Sequence, residues 1–174
     1  MRPQILVIGF SGNHCTAKAF ELAYEVGKEI AKQKAVLITG GLGGVMEGAS
    51  KGAHEEEGLV VSIIPHDEKP KANKYSDIII STGMGQARNF VTAYSADAVI
   101  IVGGGVGTII EACVAYFKSK TIVAIRGSGE VADRLADTYL DDRKLVKILG
   151  VDNPKEAVMA ALRASSSDDQ KSNT

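Results

Sequence analysis

The sequence predicts a doubly wound α/β domain, with a mostly parallel sheet of about six or seven strands and helices on both faces. Two observations carry this. Short runs recur that are apolar at every position, as strands buried on both faces require, where a half-exposed strand would alternate. Between them lie stretches of helical periodicity, long enough to cross over from one parallel strand to the next.

Taken in order, the strands fall at Ile5 to Ile8, Val36 to Ile38, Leu59 to Ile64, Ile78 to Ile80, Ala98 to Val102 and Ile122 to Ile125. The first helix runs from about Thr16 to Gln33, because Phe20, Ala23, Val26, Gly27 and Ile30 share one face and Glu21, Glu25, Lys28 and Lys32 the other. A second follows Gly44 with Met46, Ala49 and Ala53 inward, and Gly58 ends it. Pro65 to Ser76 is a polar connection, long for its place, and reads as a ligand flap or surface excursion. Gln86 to Ala96 forms a short helix. Thr108 to Phe117 forms another, with so little polar face that it needs cover on nearly every side, from the fold or from a second subunit. That pattern favours a homodimer or higher homo-oligomer, and Cys113 on this helix reads as core. Pro154 suits the first turn of a terminal helix ending at Arg163.

The 174 residues suit one domain over 1–163, and the serine- and aspartate-rich stretch 164–174 reads as a disordered tail. No apolar run approaches the length of a membrane span, and Met1 to Gln4 lacks the pattern of a signal peptide, so a soluble cytoplasmic protein is expected. A net charge of −1 without a basic stripe argues against a nucleic-acid partner. Cys15 and Cys113 have no metal-site spacing, so neither a disulfide framework nor a metal is expected.

Ligands of open parallel sheets bind beyond the carboxyl ends of the strands, where the next helix presents free N–H groups. Two turns have this setting. Thr39 leads into Gly40, Gly41, Gly43 and Gly44, and Val102 into Gly103, Gly104, Gly105 and Gly107, with the Thr108 hydroxyl as a further donor. Gly9-Phe10-Ser11-Gly12 is a shorter third turn, which offers Ser11 and Gly12. A small phosphorylated ligand is the expected partner. No G-x-x-x-x-G-K-[ST] run exists, and the G-x-G-x-x-G fingerprint fails at Gly9 and Gly41, which disfavours ATPase and dehydrogenase chemistry. Glu111 lies one helical turn past the second glycine loop, yet Thr108-Ile109-Ile110-Glu111 fits a capping box, and on spacing alone capping takes precedence. Arg88 reads as a surface charge with the capacity to hold a phosphate. Glu47 is placed to meet a ligand hydroxyl or to answer the helix dipole. His14 and Cys15 flank the first turn, and His54 and His66 read as surface residues.

The run Gly104-Gly105-Val106-Gly107-Thr108-Ile109-Ile110-Glu111, with Arg88 upstream, resembles the second half of the P-G-G-x-G-T-x-x-E signature of the Lonely Guy superfamily. The likeness covers Ile5 to Phe117 and, more loosely, the chain to Arg163. The superfamily is Rossmann-like and includes cytokinin-activating phosphoribohydrolases and molybdenum-cofactor carrier proteins. In the hydrolase branch the resemblance implies catalytic roles for Arg88 and Glu111 in releasing the base of a nucleoside 5′-monophosphate, with no cofactor required. In the carrier branch it implies molybdenum cofactor, or a related pterin phosphate, as the bound ligand. Gly103 stands where the signature has proline, and Asn89 follows Arg88 where the hydrolases usually have lysine. Together with Gly44-Val45-Met46-Glu47, these departures bring the chain closer to the carriers. The lysine-decarboxylase label often attached to such proteins has no support in the residues, since no lysine stands in a Schiff-base motif.

Overall fold

The structure, a computed structural model, describes residues 1–168. Seven strands form one sheet: β1 (Gln4–Gly9), β2 (Val36–Thr39), β3 (Leu59–Ile64), β4 (Ile78–Ser81), β5 (Ala98–Val102), β6 (Thr121–Ile125) and β7 (Leu149–Val151). They are all parallel, in the order β4-β3-β2-β1-β5-β6-β7. Six helices connect them: α1 (Ala17–Lys32), α2 (Val45–Glu55), α3 (Arg88–Ser95), α4 (Val106–Phe117), α5 (Glu130–Leu135) and α6 (Pro154–Asp168).

Alternate residues of each inner strand feed two separate cores, which is why the strands read as continuously apolar. Ile5, Val7, Leu37 and Ile100 pack with α1, α2 and α6, while Leu6, Ile8, Ile38 and Ile101 pack with α3, α4 and α5. The helix after β1 therefore lies on one face and the helix after β5 on the other. Because β1 and β5 are neighbours, the chain parts in opposite directions at their carboxyl ends, and a crevice opens there.

On the α1–α2 face the two helices approach backbone to backbone. A Cβ at Gly27 would collide with the carbonyl of Ala49, and one at Gly52 with that of Tyr24. Thr16 caps α1, its Oγ1 accepting from the Ala19 N–H at 3.1 Å. On the opposite face Lys120 Nζ donates to the carbonyls of Ala93, Tyr94 and Ala96. These are the orphan acceptors at the end of α3, so the lysine fixes the helix from its carboxyl end.

The structure departs from the sequence reading at several elements. β4 is an edge strand with Ile78 and Ile80 exposed, so its apolar run is not doubly covered. β7 and α5 were not individually legible, because Leu149-Gly150-Val151 is three residues with a central glycine and α5 is barely more than one turn. α4 begins at Val106, two residues before the predicted start. It buries one side, while Val106 and Phe117 are exposed and Cys113 is only half-buried. α6 continues to Asp168, so the stretch expected to be a tail opens in helix, and 169–174 lies outside the described residues. Among the described residues no helix is long and apolar enough to cross a membrane.

Candidate functional site

The crevice between the carboxyl ends of β1 and β5 is a cleft of about 700 Å³, within the range of small-molecule sites. Its floor is the start of α4. Gly105 is the N-cap and no side chain caps this end, so the N–H groups of Val106, Gly107 and Thr108 have no partner within the helix. They point their partial positive charge into the cleft. The Thr108 hydroxyl turns away and donates to the Gly9 carbonyl at 3.2 Å, tying the start of α4 to the end of β1.

The opening of α2 is different. Its first amide, that of Val45, already donates to the Phe10 carbonyl at 2.9 Å, so the turn after β1 plugs this helix end. The first glycine turn is accordingly divided. Gly40 lines the cleft together with Leu42, whereas Gly43, Gly44 and Glu47 line a neighbouring hollow with Gly12. Gly41 faces neither and packs against Ser62 and Ile64. Of the predicted binding residues, the cleft gathers Ser11, Gly40, Gly104, Gly105, Gly107, Thr108, Arg88 and Glu111.

Arg88 is not a surface charge; it is 7% exposed. Its guanidinium lies over Gly40, where a Cβ would stand 2.5 Å from Nη1. Nη1 is 3.7 Å from Oε1 of Glu111, an ion pair without a hydrogen bond, and Nε has no partner. Burial lowers the pKa of Arg88 and the Glu111 carboxylate opposes that shift. A buried arginine with an unused N–H is costly unless a ligand completes it.

Glu111 is not a helix cap. With α4 starting at Val106 the capping-box register fails, and Oε1 accepts instead from the Thr92 hydroxyl at 2.7 Å. Burial raises its pKa to about 7, against the opposing pull of the Thr92 hydrogen bond and of Arg88. Thr92 has one proton and two acceptors, since its Oγ1 also lies 3.0 Å from the Asn89 carbonyl. When Glu111 is ionised the hydroxyl donates to it; when Glu111 is protonated the acid donates and the hydroxyl turns to Asn89. Near neutral pH the site can therefore hold or release one proton while the Glu111 carboxyl and the Thr92 hydroxyl stay hydrogen-bonded.

Gly103 is set by its surroundings. Its φ is +60°, its N–H donates to Ser128 Oγ at 2.8 Å, and a Cβ would run into the ring of Phe10. Proline, with φ fixed near −65° and no N–H, satisfies none of the three conditions. Sequence reasoning missed Phe10, Thr92 and the turn Ser128-Gly129-Glu130, all of which shape the site. The last had a readable signal, being another glycine-containing turn at the carboxyl end of a strand. Thr92 had none, because an interior helix threonine reads as neutral. The Pro65–Ser76 segment touches the cleft through Pro65, and Asn73 anchors it: its N–H donates to the Gly41 carbonyl at 2.7 Å and its Nδ2 to that of Leu42 at 3.2 Å.

Known proteins are similar to this chain over most of its length. A protein of Archaeoglobus fulgidus, described only as uncharacterized, is 46% identical over 123 residues, which cover 71% of this chain and 80% of that one. The structure of the molybdenum cofactor binding protein from the phototrophic bacterium Rippkaea orientalis superposes with a TM-score of 0.81 at 30% identity, covering 94% of this chain and 97% of the other. That of the molybdenum cofactor carrier protein of Chlamydomonas reinhardtii gives 0.82 at 27% identity, over 95% and 99%. The model of the SLOG cluster4 family matches residues 2–158, nearly the whole described chain, and the protein belongs to that family.

Proposed function

We propose that the cleft binds a phosphorylated heterocycle of the pterin type and carries it unchanged, with molybdenum cofactor as the cargo. The observation that carries this reading is the open N-terminus of α4, three unpaired amides facing a cleft of about 700 Å³. They suit a phosphate, and the buried, incompletely bonded Arg88 beside them suits a ring carbonyl or second anionic oxygen. Likeness to two molybdenum-cofactor proteins over nearly the full chain supports the cargo. So does Gly103, whose conformation is closed to the proline of the hydrolase signature.

A second reading, hydrolysis of a nucleoside 5′-monophosphate, is favoured by one observation: Glu111 titrates near neutrality beside Arg88. In that reaction a water oxygen bonds to the anomeric carbon as the bond to the base breaks. Glu111 takes the water proton, and the base leaves with a proton from solvent. Native purification under reducing, anaerobic conditions, followed by mass spectrometry and molybdenum analysis, tests the carrier. Retained pterin with molybdenum is expected, and a ligand-free protein that fails to take up added cofactor overturns it. Incubation with nucleoside 5′-monophosphates tests the alternative, since free base appears only if the hydrolase reading holds.

A further inference from the structure

Beside the cleft, across the turn Ser11–His14, lies a second hollow bordered by Gly12, Phe20, Gly43 and Glu47, and it shares Thr16 with the cleft. Most glycines around the site are explained by the protein itself. Gly44, for example, has φ +73° and a Cβ there would stand 2.5 Å from the Phe10 carbonyl. Others are not. Gly105 has ordinary φ and nothing within 4 Å of where a Cβ would sit. Gly43 also lies outside the left-handed region, and its Cβ would meet Gly12 Cα at 3.6 Å, Glu47 Oε2 at 3.7 Å and Gly12 N at 3.8 Å, all ordinary contacts. A glycine in such a place costs about 0.4–1 kcal/mol of extra unfolded-state entropy and returns nothing within the fold. What each preserves is empty space, Gly105 and Gly107 in the cleft and Gly43 in the hollow.

The chemistry of the hollow differs from that of the cleft. Its charged side chains are Glu21 and Glu47, with no cation, so it repels phosphate and accepts O–H and N–H donors. Among the described residues the Glu47 carboxylate has no hydrogen-bond or ion-pair partner. The half-buried Phe20 ring supplies an apolar wall. Thr16 uses its Oγ1 lone pair to cap α1 and keeps its hydroxyl proton for a donor role at the junction.

We propose that this hollow is a nucleoside subsite, and that the ligand has two parts joined past Thr16 by a diphosphate: a phosphorylated heterocycle in the cleft and a nucleoside whose hydroxyl and amino groups meet Glu47. The proposal rests on the reading of the cleft as a site for a phosphorylated heterocycle. Calorimetric titration of the full chain with AMP and GMP, and with diadenosine and diguanosine diphosphate, tests it. At least one two-part ligand binds about tenfold or more tightly than its monophosphate. Gly43→Leu removes that advantage while leaving monophosphate affinity within about twofold, and Glu47→Gln lowers it several-fold. Gly43→Ala gives a partial loss and serves if the leucine variant melts early. Equal affinity for one-part and two-part ligands, or an equal loss of both in Gly43→Leu, overturns the subsite and leaves the cleft reading standing. Binding of none of the four overturns the subsite, while the cleft is then judged by the retained cofactor.

Discussion

The guanidinium of Arg88 occupies the space that a side chain at Gly40 would fill, with Nη1 2.5 Å from the position of the missing Cβ. Gly40 thus shapes the site by making room for a cation, more than by lending its own amide to an anion. Met46 Sδ, 2.6 Å from the same point, closes the other escape. Gly40→Ala therefore displaces Arg88. We expect a loss of about 1–3 kcal/mol in stability, read by urea denaturation, and a fall of about tenfold or more in ligand affinity, read by calorimetry.

Gly105→Asp separates binding from folding. The position is open and is the N-cap of α4, where aspartate is favourable, so thermal stability holds or rises by about 0.5–1 kcal/mol. The same carboxylate sits on the amides that a phosphate needs, and binding of phosphorylated ligands is lost. Unaltered affinity in this variant removes α4 from the binding site.

Glu111 gives the stability a pH dependence of defined sign. Its carboxyl ionises near 4.5 in the unfolded chain and at about 7 in the folded one. Between those values the folded chain keeps a proton that the unfolded chain has lost, so the contribution is full below about 4.5 and disappears as pH passes about 7. Denaturation midpoints measured over this window fall with rising pH by the equivalent of roughly 2–3 kcal/mol. Glu111→Gln flattens that slope; a slope unchanged in the variant assigns the titration elsewhere.

Restoring the hydrolase signature with Gly103→Pro destabilises the protein. It opposes a φ of +60°, removes the N–H that Ser128 accepts, and drives the ring into Phe10. A cost of about 2–4 kcal/mol is expected by chemical denaturation. Gly103→Ala with Phe10→Ala costs less than the sum of the two single changes, because the removed ring is the obstacle.

The sheet was legible because its inner strands are sandwiched: Ile5 to Ile8 and Ala98 to Val102 serve two cores at once and so are apolar throughout. At the edges the strand at Ile78 to Ile80 was still read, though Ile78 and Ile80 are exposed where cover on both faces was expected, and β7, with three residues to bury, was not read. The glycine turns announced a site, yet the sequence could not divide them, since whether an amide is free depends on a distant acceptor such as the Phe10 carbonyl. Arg88 and Glu111 were misread by local rules for the same reason. A charge beginning a helix looks exposed, and an acid three residues after threonine looks like a cap, until the fold buries one against the other.

The backbone contact of α1 with α2 has a mechanical consequence. Gly27 against Ala49 and Gly52 against Tyr24 leave no side-chain cushion between the helices, so one cannot slide over the other without collision. The loops they carry, Ser11 to Thr16 and Gly40 to Gly44, are therefore joined as a single jaw. Any widening of the crevice therefore falls to the opposite side, where α3 carries Arg88 and Thr92 and α4 carries Glu111, so the buried ion pair travels with the side that moves.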